Sequence, residues 1–406
     1  MLVKVKPIIF TCTSFYLPGY RGGGPIRSIA NMVSRLSDEY EFLVVTTDRD
    51  LHDQHPFQNV KVDAWNQIGR AKVFYASPSM RTLWGITRLL RETKYDLLYL
   101  NSFFDRTFTL QPLVARWLRL VPEKPTIVAP RGEFSEGAFK LKFWKKSPFT
   151  KVASRMGLYA GVTWHASTEL EKTDISRMLT HDARNIAIAG NVTIAPDLLF
   201  CNGASSPVSV TETVRDPSCL NACFLSRLTP KKNLDFALRV LARVSVPVKF
   251  TIYGPTEEPS YWHLCEELIE QLPNNIKVTY AGSVPNDEVL GKLRNHDLLF
   301  LPTRGENFGH VFLEAWSAGL AVLVSDQTPW RDLKNQRLGW DLSLDAPDEF
   351  VRALELAAKF DDVQWGQIRR CCEQFAAEQA KGTDAVKLNV RLFSDALSGT
   401  VGKPPN

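Results

Sequence analysis

Short apolar runs alternate with longer amphipathic stretches throughout the first half of the chain. The apolar runs predict strands at residues 8–11, 42–46, 60–65, 73–76, 97–100, 126–130, 162–166 and 186–188. Apolar residues at helical spacing lie between several of these runs and predict helices, for example over residues 80–91 and 108–120. Continuous apolar strands that alternate with helices are typical of a parallel sheet buried on both faces. The first half therefore predicts an α/β domain.

The second half repeats this pattern. It predicts strands at residues 222–226, 248–253, 276–281, 298–301 and 321–324, and helices at 236–244, 261–272, 348–359, 365–379 and 385–397. A segment rich in Ser, Thr, Pro and Gly separates the halves at residues 196–218 and predicts a linker. We expect one domain over residues 1–195, a second over 219–380, and a final helix and tail over 381–406.

Length and composition fit two globular domains. A chain of 406 residues is long enough for two such domains. No apolar run approaches the roughly 20 residues that a membrane-spanning helix needs, and the N-terminus enters a strand without the layout of a signal peptide. The seven Cys show no paired zinc spacing, which favours a reduced, cytoplasmic setting.

Charge is divided unevenly between the halves. Residues 1–195 contain 27 Lys and Arg against 17 Asp and Glu, whereas residues 196–406 contain 22 against 27. From Gly137 to Thr168 there is no acidic residue, and basic residues are interleaved with aromatic and aliphatic ones. No nucleic-acid-binding module is recognisable, so we expect no nucleic-acid partner. This stretch favours an anionic membrane surface as a partner, the alternative being a solvated basic helix.

The richest candidate chemistry follows the apolar run that ends at residue 301. A helix is predicted to begin near Phe308 and Gly309 and to carry Glu314 in its second turn. Glu306 therefore lies at the carboxyl end of a strand, where open α/β sheets bind ligands. Backbone N–H groups at Asn307, Phe308 and Gly309 would face an anion, and the two carboxylates would accept bonds from sugar hydroxyls. The alternative is that both Glu residues are solvent-exposed helix charges.

Residues 302–325, PTRGENFGHVFLEAWSAGLAVLVS, resemble the E-x7-E signature of retaining glycosyltransferases with the GT-B fold, specifically glycosyltransferase family 4. The resemblance implies an α/β protein of two Rossmann-like domains facing across a cleft, with the C-terminal helix crossing back to the N-terminal domain. It implies that the first domain binds the acceptor and the second the nucleotide sugar. It also implies that Glu306 contacts the donor sugar, that Glu314 holds the nucleotide ribose, and that the backbone of residues 307–309 faces the sugar and diphosphate.

Arg227 and Lys232 follow the first strand of the second half, in the sequence SRLTPKKNL. Arg offers planar donors and Lys a point charge, so together they can neutralise a diphosphate. Their R-x4-K spacing is similar to the family pattern, which implies that both residues grip the diphosphate of the donor. Gly254 and Val284 follow the next two predicted strands, and the resemblance implies that these loops line the donor site.

The first half contributes further candidates. Gly22, Gly23 and Gly24 do not form GxGxxG, which disfavours a dinucleotide site, and the resemblance implies that they approach the donor diphosphate and the acceptor. Arg131 stands in a stretch that resembles bacterial polysaccharide enzymes of this family, many of which carry His there. A cation at Arg131 suits a phosphate or an acidic sugar, the alternative being a surface Arg. His165 resembles a secondary site residue of the family, the alternative being a buried structural His.

Asp48 and Asp50 form a D-x-D pair after the second predicted strand. In another glycosyltransferase fold such a pair binds a metal–diphosphate complex, but the rest of the chain does not resemble that fold. We therefore expect an ordinary polar loop. No metal and no cofactor are expected, because cationic side chains would replace Mg2+ at the diphosphate.

The expected function is retaining transfer of a sugar from a nucleotide-diphosphate sugar to a hydroxyl of a glycan acceptor in surface polysaccharide biosynthesis. The resemblance implies a lipid-linked acceptor, and hence a cytoplasmic enzyme that binds peripherally to the inner face of the cell membrane. Two alternatives stay open. One is a nucleotide-sugar epimerase or hydrolase on the same fold, and the other is a non-catalytic nucleotide-sugar-binding protein.

Overall fold

The computed structural model describes residues 5–134, 153, 155–179, 192–198 and 218–399. The chain divides into two units, of which the first is Met1–Phe200 with Gly382–Asn406 and the second is Cys201–Lys381. Among the described residues, no helix combines the length and the apolar character needed to cross a membrane. Most of the predicted linker lies outside the described residues.

Eight described strands form the sheet of the first unit. They are β1 (Ile8–Cys12), β2 (Glu41–Thr47), β3 (Trp65–Ile68), β4 (Ala71–Ala76), β5 (Leu97–Asn101), β6 (Thr126–Ala129), β7 (Val162–Ala166) and β8 (Val192–Ile194). Their order is β3-β4-β2-β1-β5-β6-β7-β8. All neighbouring strands are parallel except β3 and β4. The apolar run of β5 is buried along its whole length, as expected for a strand between two parallel neighbours with both faces covered.

The described helices of the first half are α1 (Gly24–Leu36), α2 (Leu83–Glu92), α3 (Gln111–Trp117) and α4 (Glu169–Leu179). The alternating side chains of β1 enter two separate apolar clusters. Ile9 packs in the cluster that contains residues of α1, whereas Phe10 packs in the cluster that contains residues of α2 and α3. Both faces of the sheet are therefore covered by apolar clusters.

Three sequence predictions in the first unit need correction. The strand predicted at 60–65 is β3, Trp65–Ile68, which forms an antiparallel hairpin with β4 through Gly69 at a φ of 56°. The helix predicted at 108–120 begins earlier, as a π-helical turn over Arg106–Leu110 that Asp105 caps through the N–H groups of residues 107 and 108. The last described strand of this half is Val192–Ile194, where no strand was predicted; residues 186–188, where a strand was predicted, lie outside the described residues.

The described strands of the second unit form one parallel sheet. They are β9 (Leu220–Leu225), β10 (Val248–Tyr253), β11 (Ile276–Gly282), β12 (Leu298–Leu301), β13 (Ala321–Ser325) and β14 (Gly339–Leu342). Their order is β11-β10-β9-β12-β13-β14. The helices in the described part of this unit are α5 (Leu234–Leu241), α6 (Pro259–Glu270), α7 (Val289–Leu293), α8 (His310–Ser317), α9 (Pro347–Ala358) and α10 (Asp362–Lys381). Of these elements, β14 and α7 were not predicted from the sequence.

The last helix, α11 (Thr383–Ser398), belongs to the first unit. Leu392 and Phe393 are fully buried, and the Phe393 ring lies 5.3 Å from the Tyr40 ring and 5.7 Å from the Tyr99 ring, between centroids. Burying such a side chain contributes roughly 1.5–3 kcal/mol. The Tyr40 hydroxyl donates a 3.1 Å hydrogen bond to the Val390 carbonyl. The chain therefore crosses back to its N-terminal unit, as the resemblance implied.

Candidate active site

The strand order of the second unit creates a ligand-binding position beside β9. From β9 the chain proceeds outward to β10 and β11, and then returns to the other side of β9 to form β12. The loops that leave the carboxyl ends of β9 and β12 consequently diverge to opposite sides of the sheet. Such a switch point is where open α/β sheets bind ligands. Arg227 and Lys232 lie in the first of these loops, and Glu306 lies in the second.

The two loops are tied together by a hydrogen-bond clamp centred on Asn233. Its Nδ2 donates to the Pro302 carbonyl at 2.9 Å, and its Oδ1 accepts from Arg304 Nε at 2.9 Å. The Arg304 backbone N–H donates in turn to the Lys231 carbonyl at 2.8 Å. Asn233 is buried and has a φ of 65°, in the left-handed region that Asn tolerates better than most residues. It therefore fixes the first loop against the second.

Glu306 and Lys232 form an ion pair across this clamp. Lys232 Nζ lies 2.5 Å from Glu306 Oε2, and both side chains are largely but not completely buried. Burial alone would raise the pKa of Glu306, but the charges of Lys232, Lys231 and Arg227, with the hydrogen bond from Lys232, outweigh it and lower the pKa. Glu306 is therefore a carboxylate at neutral pH, in a field set by three cations.

Arg227 lies at the carboxyl edge of the second sheet and is more exposed to solvent than Lys232. Its Nη1 donates to Glu257 Oε1 at 2.8 Å, and 40% of its side chain is exposed. Gly254 supports the backbone at this point, because a Cβ built there would lie 1.8 Å from the Ser226 carbonyl oxygen, and its φ is 137°. Val284 is half-buried in the loop after β11. The direct donor contacts predicted for Gly254 and Val284 stay predictions.

The start of α8 brings Gly309 close to Glu306. Gly309 is the N-cap of this helix, with a φ of 80°, and a Cβ there would lie 2.5 Å from the Phe312 ring and 3.1 Å from Glu306 Cγ. Only glycine satisfies both the backbone conformation and this space. Trp330 Nε1 donates to the Phe308 carbonyl, which fixes the turn before the helix. The predicted roles of Asn307, Phe308 and Gly309 in facing an anion are consistent with this arrangement but stay predictions.

Glu314 lies in the second turn of α8, as predicted, and is half-buried. It is eight residues from Glu306 and on the following helix, so the two carboxylates belong to different elements of one strand–loop–helix unit. Its predicted contact with a ribose also stays a prediction.

The glycine-rich loop of the first unit is held by Asp50. Oδ2 of this residue accepts from the backbone N–H groups of Tyr20 at 2.8 Å and Arg21 at 3.1 Å. Gly23 has a φ of 69° at the N-cap of α1, with Gly22 before it and Gly24 as the first helical residue. Asp48 is also buried and pairs with Arg49. The D-x-D pair is thus part of a polar loop, as expected, and one of its members shapes the glycine loop.

Arg131 is buried and bonded within its own unit, and its predicted contact with a phosphate or an acidic sugar stays a prediction. Its Nε donates to Asn101 Oδ1 at 2.7 Å, Nη2 donates to the Tyr99 hydroxyl at 2.9 Å, and Nη1 pairs with Asp197. Only 8% of the Arg131 side chain and 6% of the Asp197 side chain are exposed. The alternative of a surface Arg is wrong, because the side chain is buried. Every guanidinium nitrogen has a partner inside the unit, so Arg131 stabilises the segment that carries Asp197.

His165 continues the same buried network, as the structural alternative describes, and its predicted secondary role in the site stays a prediction. Its Nε2 lies 2.7 Å from the Ala195 carbonyl, which can only accept, so Nε2 carries the proton and Nδ1 accepts from the Tyr99 hydroxyl at 2.7 Å. Burial, reinforced by the charge of Arg131, lowers the pKa of His165 to about 4. The ring is therefore neutral and orients Tyr99.

Sequence reasoning missed three residues that position the candidate site. Asn233 stands in the segment SRLTPKKNL, where no role was predicted for it, and its side chain bonds to the second loop instead of capping its own helix. Glu257 and Trp330 gave no signal, because each is far in sequence from its partner: Glu257 is 30 residues from Arg227, and Trp330 is 22 residues from Phe308.

Comparison with known proteins places this geometry in a family context. Residues 219–358 match the family model described as glycosyl transferases group 1, and this segment contains Arg227, Lys232, Glu306 and Glu314. An uncharacterized 41.2 kDa protein in the cps region of Klebsiella pneumoniae is 23% identical over 176 residues, which cover 43% of this chain and 46% of that protein. An uncharacterized glycosyltransferase of Methanocaldococcus jannaschii is 32% identical over 104 residues, 25% of this chain and 26% of that protein. The matches thus span less than half the length of these curated relatives.

Among solved structures, HepE of Anabaena in complex with UDP and glucose superposes with a TM-score of 0.66 at 16% identity, covering 97% of this chain and 100% of that chain. Identity at this level shows a shared fold. Three features of the chain agree with this fold: the strand orders of the two sheets, the C-terminal helix that belongs to the first unit, and the matched segment in the second unit. The protein therefore has the GT-B fold, and its residues 219–358 match the family model of glycosyl transferases group 1.

Proposed function

We propose that the protein transfers a sugar, with retention, from a nucleotide-diphosphate sugar to a hydroxyl of a glycan acceptor. The observation that carries the proposal is the Lys232–Glu306 ion pair at the switch point of the second sheet, with the charge of Arg227 acting on the same carboxylate. A diphosphate needs cations and a sugar needs a fixed hydroxyl acceptor, and this edge offers both. The group 1 family match over the same residues supports the assignment.

In the proposed reaction, the bond from the sugar anomeric carbon to the diphosphate oxygen breaks, and a bond from that carbon to the acceptor oxygen forms. The acceptor proton goes to an oxygen of the leaving diphosphate, so no separate base is required. Arg227, Lys232 and the N-terminus of α8 stabilise the charge that develops on the diphosphate. Glu306 holds the donor sugar, and Glu314 holds the ribose.

The donor is tested by thermal denaturation with a panel of nucleotide sugars. We expect a UDP-sugar to raise the melting temperature, since a ligand that binds only the folded state stabilises it; the similarity to HepE, solved with UDP and glucose, supports testing UDP-sugars first. Turnover with a glycan acceptor should then give a product whose anomeric configuration, read by NMR, matches that of the donor. An inverted product would contradict the retaining mechanism. A free sugar would indicate a hydrolase and an isomerised donor an epimerase, while binding without turnover would indicate a non-catalytic binder.

For the acceptor, we propose a lipid-linked glycan of surface polysaccharide assembly at the inner face of the cell membrane. The similarity to a protein of a cps region supports the polysaccharide context. The acid-free stretch at residues 137–168 supports an anionic surface, although residues 135–152 lie outside the described residues. Each basic group near such a surface contributes about 1 kcal/mol, and salt screens it beyond about 8–10 Å.

Vesicle co-sedimentation tests this localisation. The protein should pellet with anionic vesicles at low salt, and the combined change of Lys142, Lys145 and Lys146 to Glu should abolish pelleting while sparing activity on a short soluble acceptor. The control variant makes the same change in net charge elsewhere on the first unit. Three other exposed basic residues are changed to Glu in it, namely Arg70, Lys72 and Arg88. If the control variant loses binding to the same extent, only net charge matters and the assigned stretch is wrong.

A further inference from the structure

The second sheet has an open edge at β11. This strand is the outermost one in the order, and among the described residues no strand pairs with its outer side. Six of its seven residues are exposed or half-buried, so neither its backbone edge nor its faces are well covered. Unpaired strand edges offer a row of N–H and C=O groups to another extended chain, and natural proteins usually protect them.

A cavity of about 470 Å³ lies between this edge strand and α6. Its floor is aromatic: the rings of Trp262 and Tyr280 lie 4.6 Å apart between centroids, at an angle of 43°. The Tyr280 hydroxyl donates to the Gly254 carbonyl at 3.0 Å, so this ring is held in place although 42% of the residue is exposed. Val278 lies on the same face of β11 and lines the cavity with Tyr280. The cavity is therefore formed in advance of any ligand.

The rim of this cavity is acidic. Glu266, Glu267 and Glu270 of α6 all line it, and the side chains of the first two are 50% and 55% exposed. His263 lies 3.9 Å from Glu266 and 3.4 Å from Glu267, and it offsets their charge only when it is protonated. A cation placed over aromatic faces and beside carboxylates is stabilised by cation–π attraction and by the negative charges. The chemistry of the cavity thus fits an ammonium or guanidinium group.

The edge and the cavity together specify one kind of occupant. An added strand would lie about 4.8 Å from β11, and every second side chain of that strand would point to the face that holds the cavity. Main-chain bonds then give affinity and the cavity gives selectivity, as in other recognition by strand addition. A second copy of β11 fits poorly, because pairing edge to edge would bring the two sets of three carboxylates together.

We propose that the outer edge of β11 docks an extended, basic segment of a partner protein, which pairs with the strand and places a Lys or Arg side chain in the cavity between β11 and α6, against the Trp262 and Tyr280 rings. The lining of this cavity contains no residue of the candidate active site, although Tyr280 bonds to the carbonyl of Gly254, and the proposal does not depend on sugar transfer.

Calorimetry with the full chain and a short peptide of alternating Val and Lys tests the proposal. The peptide should bind, more weakly as salt rises, whereas its counterpart with Glu in place of Lys should not. N-methylation of alternate peptide amides should abolish binding, since it removes the backbone donors. Trp262→Ala should weaken binding by about tenfold, the loss expected for a partly desolvated cation–π contact.

A matched pair of charge variants separates the cavity from general electrostatics. The double variant Glu266→Gln with Glu270→Gln should weaken binding, while the double variant Glu349→Gln with Glu378→Gln, at exposed sites outside the cavity lining, should leave it unchanged. Equal binding of the N-methylated peptide would overturn strand pairing, and equal effects of the two sets of Glu variants would overturn the cavity. Absence of binding would overturn the proposal as a whole and leave the acidic rim as protection against edge-to-edge aggregation.

Discussion

Arg131 in the first unit and Arg227 in the second each follow a buried strand of a parallel sheet, and each pairs with a carboxylate. Their surroundings differ. The Arg131 side chain is 8% exposed and all its nitrogens bond within the protein, whereas the Arg227 side chain is 40% exposed and bonds to Glu257 through one nitrogen. Position at the carboxyl edge of a sheet thus does not by itself make a cation a ligand-binding group.

The partners explain the difference between the two edges. Asp197 accepts hydrogen bonds from Arg131 and from Ser28 Oγ, the latter at 2.8 Å. The neighbouring Pro196 carbonyl accepts a 2.8 Å hydrogen bond from Asn389 Nδ2 of α11. The buried charges of the first unit therefore hold the segment that contains Asp197 in place, and this segment in turn bonds to helix α11. In the second unit, the cations converge on one carboxylate, Glu306. We expect substitutions in the first group to affect stability and those in the second to affect turnover.

The largest effect is expected for Arg131→Ala. It leaves Asp197 charged, buried and without its main partner, and breaking a buried pair in this way typically costs about 3–5 kcal/mol of unfolding free energy. Chemical denaturation measures this loss. Arg88→Ala, which breaks an exposed pair with Glu92 in the same unit, is the control and should stay near wild type. Equal stability of the two variants would mean that the buried network does not support the fold.

Arg227→Ala and Lys232→Ala should show the opposite pattern. Removing a preorganised charge from a transition-state site raises the barrier by about 2.7–4 kcal/mol, so turnover should fall by about 100- to 1,000-fold in each variant while the fold survives. Steady-state kinetics and denaturation on the same samples separate the two effects. Arg239→Ala, which removes an exposed cation from α5, is the control. Wild-type turnover in both site variants would contradict the diphosphate assignment.

The pH dependence of stability gives a third test. Burial first, and then the charge of Arg131, lowers the pKa of His165 from 6.5 to about 4. Between these values the unfolded chain binds a proton that the folded chain does not, so stability should fall as pH drops from about 6.5 to about 4, by up to roughly 3 kcal/mol. Burial lowers the pKa of His296 in the second unit to about 4 as well. His165→Gln should therefore remove part of the slope of unfolding free energy against pH, whereas His263→Gln, at an exposed site, should not.

The smallest effects should distinguish the two carboxylates of the second unit. Glu314→Gln should mainly raise KM for the donor, because a ribose contact is equally strong in the ground and transition states. Glu306→Gln should mainly lower kcat, because Glu306 would touch the reacting sugar. Each loss of a charged hydrogen bond is worth about 1.5–3 kcal/mol. Steady-state constants with the reverse pattern would mean that the two roles are exchanged.

The sequence by itself determined the elements that carry the candidate site. Residues 298–301 are apolar without interruption, and they form a central strand with every residue fully buried. The turn at Gly309 and the helix that carries Glu314 follow from local conformational preference. Because the carboxyl end of a parallel strand is where its loop begins, the placement of Glu306, Arg227 and Lys232 at the sheet edge could be predicted.

Only the tertiary structure decided which charges pair with one another. Asp197 lay in a segment that its composition assigned to a linker, yet it is buried against Arg131; Glu257 and Asn233 had no predicted partners, yet they hold Arg227 and the two loops. Hydrophobic periodicity reports which face of an element is buried, and this is a property of neighbouring residues. Partners of polar side chains depend on which loops the strand order brings together, and this order is set by packing of the whole unit.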